Sequence, residues 1–194
     1  MLLADVEQVN DDVKITIRQK QFTSSDSLNK QKVDFHLYDN DMNFESHSIV
    51  LEKGATSQSV VVPKRRAENT YVLLNSDDHA YTHIHINEDF IEKKFLKGDL
   101  SKIHGSVNRI VVWRSLIQMA KSTILSPIKF MEIVFSNIAQ EDDLILLETM
   151  LAVVKIFISS YIPEKDHTDV CTKMFKILYD RYLQIDSSKT DLRG

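Results

Sequence analysis

The hydrophobic period of this chain changes within residues 81–89, which read Tyr-Thr-His-Ile-His-Ile-Asn-Glu-Asp. Before Asn87, apolar residues recur at every second position, which is typical of half-buried β-strands. After Ile86 they recur about every 3.6 residues, which is typical of amphipathic helices. Asn87 is a favourable N-cap, and the two acidic residues after it place negative charge where the helix dipole is positive. The stretch therefore predicts a β part, residues 1–87, joined to a helical part, residues 88–194.

Several short strands are predicted in the first half. Apolar and polar residues alternate around Val13, Ile15 and Ile17, and again around Val33, Phe35 and Leu37. Further strands are predicted at Phe44–Leu51, Ser57–Val62, Tyr71–Asn75 and Tyr81–Ile86. Polar loops are predicted at Thr23–Ser27 and Asp39–Asp41, because Asp, Asn and Ser side chains bond their own backbone in turns. Strands about ten residues apart indicate an antiparallel β-sandwich.

The second half is predicted to form antiparallel helical hairpins, stacked as an α-solenoid or a bundle. Gly98 and Gly105 interrupt the chain, and Ser126-Pro127 predicts a helix start. The inward faces are predicted from apolar spacing, with Ile110, Trp113, Ile117, Ala120 and Ile124 on the second helix, and Phe130, Ile133, Val134 and Ile138 on the third. Residues 144–162 are apolar nearly all round, apart from a narrow polar stripe of Glu148, Lys155 and Ser159. The last helix is predicted to point Val170, Met174, Ile177, Leu178, Tyr182 and Ile185 inward, before a polar tail.

Composition excludes several classes of protein. Cys171 is the one cysteine, so a disulfide within the chain and a thiolate zinc site are both excluded. Residues 1–88 carry a net charge of −5 and the remainder +1, and neither half has the basic surface of a nucleic-acid binder. Residues 144–162 are long enough to test as a membrane span, but two charged residues near their centre would each cost about 2.5–3.5 kcal/mol in a bilayer. We therefore expect a cytoplasmic protein without nucleic-acid or membrane partners.

No catalytic motif is found in the sequence. H-E-x-x-H, G-x-S-x-G, P-loop and G-x-G-x-x-G patterns do not occur. The sharpest metal candidate is His83-Ile84-His85, because two imidazoles on one face of a strand lie about 6.5–7 Å apart. His79, Asp77 and Asp78 lie near enough in sequence to add ligands. We interpret these histidines as polar positions on a solvent-facing strand and predict no catalytic, cofactor-binding or metal residue in this chain.

Three other features are interpreted as structural. Lys64-Arg65-Arg66 follows Pro63 and is typical of a solvated loop, although it also fits a nuclear signal or phosphate site. Glu141, Asp142 and Asp143 precede an apolar helix, and the helix dipole explains them. Cys171 and Trp113 are predicted to be buried packing residues.

Residues 71–88 resemble the junction segment of the aminopeptidase N family of zinc aminopeptidases, in which a strand, an Asn-x-Asp-like turn and a second strand lead into the first C-terminal helix. Arg109–Leu116 and Met119–Lys121 are similar to that family's second helix, and Ser126–Phe130 to the start of the next. Ala80 stands where the family commonly has Gly, and His83 where a basic residue is usual. The family's H-E-x-x-H-x18-E and G-x-M-E-N motifs do not occur in this chain.

The resemblance implies a non-catalytic part of a zinc-dependent exopeptidase that removes N-terminal residues from peptides. Zinc would belong to a catalytic domain elsewhere in the same polypeptide, and this part would cap the active-site cavity. The partners implied are that catalytic domain and the peptide substrates, with self-association through exposed apolar surface. Two alternatives remain open. One is a free-standing adaptor that binds a partner helix or peptide, and the other is a small metal enzyme built on His83 and His85.

Overall fold

The computed structural model of the chain describes residues 1–21 and 28–184. Its first half forms two three-stranded antiparallel sheets, ordered β1-β2-β5 and β4-β3-β6. The strands are β1 (Leu2–Val9), β2 (Asp12–Gln19), β3 (Gln31–Tyr38), β4 (Phe44–Leu51), β5 (Ser57–Val62) and β6 (Tyr71–Leu74). The predicted order of strands followed by helices is confirmed.

Alternation within β2 and β3 sets the inner face of each sheet. Val13, Ile15 and Ile17 are buried, and so are Val33, Phe35 and Leu37, as predicted. In β3 the opposite face is also buried at His36 and Tyr38. The helical half covers that face, since the Tyr38 ring lies 5.9 Å from that of Phe90. The predicted turn after β3 is also present, because Asp39 Oδ1 accepts hydrogen bonds from the amides of Asp41 and Asn43.

One predicted strand is corrected, and one observed strand was not predicted. Residues 81–86 form one bridge, between Ile84 and Leu2, instead of a strand. The chain enters a helix soon after Ile86, so no ladder develops. Conversely, β1 was not predicted, although Leu2 and Ala4 are buried at alternating positions. The predicted loop at Thr23–Ser27 lies outside the described residues.

The second half contains five α-helices within the described residues. They are α1 (Glu88–Lys93), α2 (Ser106–Lys121), α3 (Pro127–Asn137), α4 (Leu144–Ser160) and α5 (His167–Gln184). Asn87 and Ser126 occupy the predicted N-cap positions, without a side-chain cap hydrogen bond. Gly98 has φ +91, and a Cβ there would lie 2.9 Å from the Ser136 carbonyl oxygen, so the site requires glycine.

The buried face of α2 differs from the predicted stripe. Ile110 and Ile124 are exposed, whereas Val112, Leu116 and Met119 are buried. Ala120 is buried and Ile117 is partly buried, as predicted, and Ile124 lies beyond the end of α2. Polar Asn108 and Arg109 also turn inward, where each has a specific partner. Trp113 is buried, as predicted. The four residues predicted for the inward face of α3 are all buried.

The last two helices are only partly covered. In α4 the inward residues are Leu146, Met150, Val154 and Phe157, and the predicted polar stripe faces solvent. In α5 only Met174 is fully buried, with Val170, Ile177 and Leu178 packed partly against the core. Tyr182 is exposed, which corrects the prediction that it points inward. Ile185 and the polar tail lie outside the described residues.

Buried residues of the strands and the helices form one continuous hydrophobic core. α2 contacts α3, and α4 contacts α5. The sandwich packing of the sheets, the solenoid or bundle arrangement and the domain boundary at residue 87 stay predictions. Within the described ranges, no helix combines the length and apolar character needed to cross a membrane.

Candidate functional site

The five candidate metal ligands at the junction contact different partners in the structure. His79 Nδ1 lies 3.1 Å from Asp34 Oδ2, Asp77 contacts Asn108, and Asp78 pairs with Arg114. Across residues 1–21 and 28–184, no group of three or more His, Cys, Asp or Glu side chains is arranged to hold a metal ion.

His83 and His85 serve instead as main-chain partners of the first strand. The Leu2 amide donates to the His83 carbonyl over 2.7 Å, and the His85 amide donates to the Leu2 carbonyl over 2.8 Å. The His83 side chain is exposed and that of His85 is half-buried. Burial, with a smaller contribution from Lys20, lowers the pKa of His85, because a charged imidazole is poorly solvated there.

Asn75 organises the turn that leads from the sheets to the helices. Its backbone is left-handed, with φ 55°, and those of Asp77 and Asp78 are as well. The Asn75 amide group donates to the Ala80 carbonyl, and its Oδ1 accepts from the Ala80 amide, each over 2.8 Å. Asparagine tolerates this backbone region because its short side chain bonds nearby backbone groups. The turn thus depends on one side chain.

A second set of contacts fixes this turn to α2. The Asp77 amide donates to Asn108 Oδ1 over 2.8 Å, and Asn108 is fully buried. Arg114 donates from both terminal nitrogens to the Asp78 carboxylate, and this hydrogen-bonded pairing raises the pKa of Arg114. The His104 amide also donates to the Tyr38 hydroxyl over 3.3 Å. The β and helical parts are therefore held in one fixed orientation at the junction.

The basic tripeptide after β5 is used in structural contacts. Arg65 pairs with Glu45 over 3.2 Å and donates to the Leu37 carbonyl, and its side chain is mostly buried. Arg66 lies 3.7 Å from Asp11, and the Lys64 amide donates to Asp12. These contacts link the two sheets, which agrees better with a structural segment than with a phosphate site.

The acidic run before α4 contains a buried ion pair that the sequence interpretation missed. Asp143 does cap α4, accepting from the amides of Ile145 and Leu146. Glu141, however, is buried and bonds to Arg109 of α2 through three hydrogen bonds of 2.9–3.1 Å. The helix dipole thus explains Asp143 but not Glu141.

Exposed apolar side chains on α4 and α5 are a candidate interaction surface. On α5, Phe175, Tyr179 and Tyr182 are 68%, 50% and 69% exposed, and their spacing places them on one face of the helix. The Phe175 and Tyr179 rings stack at 5.7 Å. On α4, Ile145 and Ile156 are exposed on one face. We call these residues the α4–α5 apolar faces.

Charged residues of α5 lie on a different face of the helix from the exposed aromatic residues. Lys173, Lys176 and Asp180 lie on the other side of the helix, so the aromatic residues are not scattered among charges. Cys171 is exposed on the aromatic side, one turn before Phe175, which corrects its predicted burial. Apolar positions that cluster on one helix face in this way mark interaction surfaces more often than isolated exposed residues do.

The solved structures that match the chain include an aminopeptidase of low sequence identity. No protein-family model and no curated protein matches the chain. The crystal structure of Legionella pneumophila aminopeptidase A in complex with aspartic acid matches with a TM-score of 0.40 and 12% sequence identity. The match covers 100% of this chain and 25% of that chain, so this chain spans about a quarter of that protein's length.

Proposed function

We propose that this chain is the non-catalytic sandwich and helical part of a zinc aminopeptidase of the aminopeptidase N family. In this role it lies against the catalytic domain of the same polypeptide, in the cytoplasm, and narrows the cavity that peptide substrates enter. The observation that carries the proposal is the exposed α4–α5 apolar faces. The resemblance of residues 71–88 to the family's junction segment is the reason for proposing this family.

The apolar faces support docking because exposed aromatic surface is unfavourable in water and becomes favourable when a partner covers it. Burial of a Phe-sized side chain stabilises a complex by about 1.5–3 kcal/mol before association costs are subtracted. Phe175, Tyr179 and Tyr182 together therefore provide enough apolar area to act as anchors.

The fixed junction supports a capping role. A cap that limits access must hold its position relative to the domain beneath it. The Asn75 turn, the Asn108 contact and the Arg114–Asp78 pair couple the sheets to α2, so that docking of the helices would also position the sheets. Restriction of access by shape needs no reactive group in this chain.

Zinc belongs to the catalytic part in this proposal. There it would activate water for hydrolysis of the N-terminal peptide bond. The side chains of His79, Asp77 and Asp78 contact Asp34, Asn108 and Arg114, which favours a structural role for this segment.

A free-standing adaptor is the second candidate. Anchors at positions i, i+4 and i+7 are the pattern by which an amphipathic helix binds a hydrophobic groove. The aromatic residues of α5 have this spacing. In this alternative the partner is an unrelated protein with such a groove.

The test begins with the coding sequence that precedes Met1. We expect an H-E-x-x-H motif there, within a catalytic domain that binds this chain when the two parts are made separately. A Phe175→Lys/Tyr182→Lys variant should lose that binding, whereas Lys176→Glu, on the charged side of α5, should keep it. Absence of the motif, or binding that is equal in both variants, would count against the capping role and leave the adaptor.

A further inference from the structure

The outer edge of β1 carries unpaired main-chain groups between two points where the strand is tied down. At one end, Leu2 exchanges hydrogen bonds with the backbone of His83 and His85. Because main-chain groups in a strand alternate in direction, the N–H and C=O of Ala4 and Val6 face the same side as those of Leu2. Among the described residues, none forms a hydrogen bond to these groups on that side.

The other end is closed by a side chain. Gln8 Oε1 accepts from the Ala67 amide over 2.8 Å, and Gln8 Nε2 donates to the Arg65 carbonyl over 3.2 Å. The open part of the edge thus runs from Leu3 to Glu7. At a rise of about 3.3 Å per residue, it spans about 13 Å, which is room for three or four extended residues.

A cleft of about 410 Å³ lies along this open edge. Its lining includes residues 3–6 of β1, Thr70 and Tyr71, and residues 87–90. We call this the edge cleft. β1 contains no lysine or proline, the residues that commonly protect an exposed edge from pairing with another chain.

The side chains of the edge cleft favour a positively charged ligand. Three carboxylates line it, from Asp5, Glu88 and Asp89, and no lysine or arginine does. Their ion-pair partners Arg18, Lys129 and Lys93 lie outside the lining.

We propose that the edge cleft binds a short extended peptide, which adds to β1 by main-chain hydrogen bonds and places a cationic group beside Asp5, Glu88 and Asp89. The cation is a lysine or arginine side chain or a free N-terminal ammonium. The closed ends favour a short peptide over a second copy of this chain, whose strand would need a longer open edge. The proposal does not rest on the aminopeptidase assignment.

The test uses the full ¹⁵N-labelled chain and a blocked peptide, acetyl-Val-Lys-Val-Lys-amide. We expect chemical-shift changes and slower hydrogen exchange at the Ala4 and Val6 amides. A probe N-methylated at alternate amides should bind at least about tenfold more weakly, because it loses main-chain hydrogen bonds. A peptide with Glu in place of Lys should also bind more weakly. A peptide with an unblocked N-terminus and no lysine shows whether the cation is a free ammonium or a side chain.

A variant pair localises the binding. Val6→Pro removes an edge N–H and should abolish the shifts, whereas Val61→Pro makes the same change on β5, the opposite edge of the same sheet, and should leave them. If Val6→Pro does not fold, the N-methylated probe still decides. Absence of shifts at millimolar peptide, equal loss in both variants, or protection of Ala4 and Val6 that rises with protein concentration alone would overturn the proposal. The last result would assign the edge to a second copy.

Discussion

Arg109 and Glu141 form a buried ion pair that joins α2 to the segment before α4. Arg109 Nε lies 3.1 Å from both carboxylate oxygens of Glu141, and Nη2 lies 2.9 Å from Oε1. The same Nη2 reaches the exposed Asp142 carboxylate at 2.6 Å. Arg181 of α5 donates to the main-chain carbonyl of Glu141 over 2.6 Å. Two helices, α2 and α5, therefore contact the segment before α4 at one acidic residue.

Loss of the buried carboxylate should destabilise the fold strongly. Glu141→Gln leaves the Arg109 charge partly uncompensated in a buried site, and we expect the free energy of unfolding to fall by about 3–5 kcal/mol. Asp142→Asn removes the exposed partner of the same arginine and should cost about 0–1 kcal/mol. Urea unfolding of both variants measures the difference. Equal losses would show that burial of Glu141 does not govern the strength of the pair.

The junction turn should depend on Asn75 for both its backbone and its hydrogen bonds. Asn75→Ala places a Cβ-bearing residue without a bonding side chain at φ 55° and should lower the free energy of unfolding by about 2–4 kcal/mol. Asn75→Gly avoids the steric cost, so its loss should be smaller by about 1 kcal/mol. A thermal-unfolding comparison is sufficient. A glycine variant as unstable as the alanine variant would contradict the role of the left-handed backbone.

Stability should decrease as pH falls below about 6.5. Burial lowers the pKa of His36 and of His85 in the folded chain. As pH falls, the unfolded chain then takes up protons that the folded chain does not. The free energy of unfolding therefore decreases from about pH 6.5, the ordinary pKa of histidine, down to the lowered pKa values of the folded chain. The hydrogen bond from Lys32 is the chief cause that lowers the pKa of Asp34. This carboxylate therefore affects stability only at a pH below about 3.8, the ordinary pKa of aspartate.

Urea unfolding at pH 7.5, 6.5 and 5.5 measures this dependence. A His36→Gln/His85→Gln variant should show a smaller change between pH 6.5 and 5.5 than the unaltered chain. An unchanged slope in the double variant would assign the effect to other groups.

The α4–α5 apolar faces should bind partners without supporting the fold of the isolated chain. Tyr179→Lys replaces a half-exposed residue and should change the free energy of unfolding by no more than about 0.5 kcal/mol. It should also reduce self-association and binding of apolar dyes. Sedimentation velocity at several concentrations measures association, with Lys176→Glu as the control. A strict monomer that binds no dye before any substitution would argue against these faces as an interface.

The isolated chain should bind no stoichiometric zinc and should release no amino acid from aminoacyl reporter substrates. The reason is the arrangement of its donors, which pairs His79 with Asp34 and Asp78 with Arg114. Elemental analysis after dialysis is the measurement. About one zinc ion per chain, lost on His83→Ala/His85→Ala, would instead support the small metal enzyme.

Local chemistry was sufficient to predict much of the fold. β4 and β5 begin and end where alternation predicted, and Pro127 begins α3, because these features depend on residues close in sequence. The inward faces of β2 and β3 followed from their period of two. The predicted burial of Tyr182 was wrong because spacing predicts which residues share a helix face but not whether a neighbour covers that face.

The contacts that define the candidate sites were not predictable in the same way. Arg109 and Glu141 are 32 positions apart, and the pair exists only once α2 and the segment before α4 pack together. The edge cleft likewise depends on β1, whose short alternating run at the start of the chain was the available signal. Asn75 belongs to the junction motif, but its role in organising the turn depends on its hydrogen bonds to the backbone of Ala80, which spacing alone does not predict.

Cys171 gives the apolar face of α5 a built-in reporter. It is the sole cysteine of the sequence, it is exposed, and it lies one turn before Phe175. A maleimide fluorophore or nitroxide would therefore attach at one known position without any engineering of the chain. Its emission or spin-label mobility would change when a partner covers the neighbouring aromatic rings. It should stay constant when a ligand enters the edge cleft, whose lining contains no residue of α5. One labelled sample thus separates the two proposed interactions.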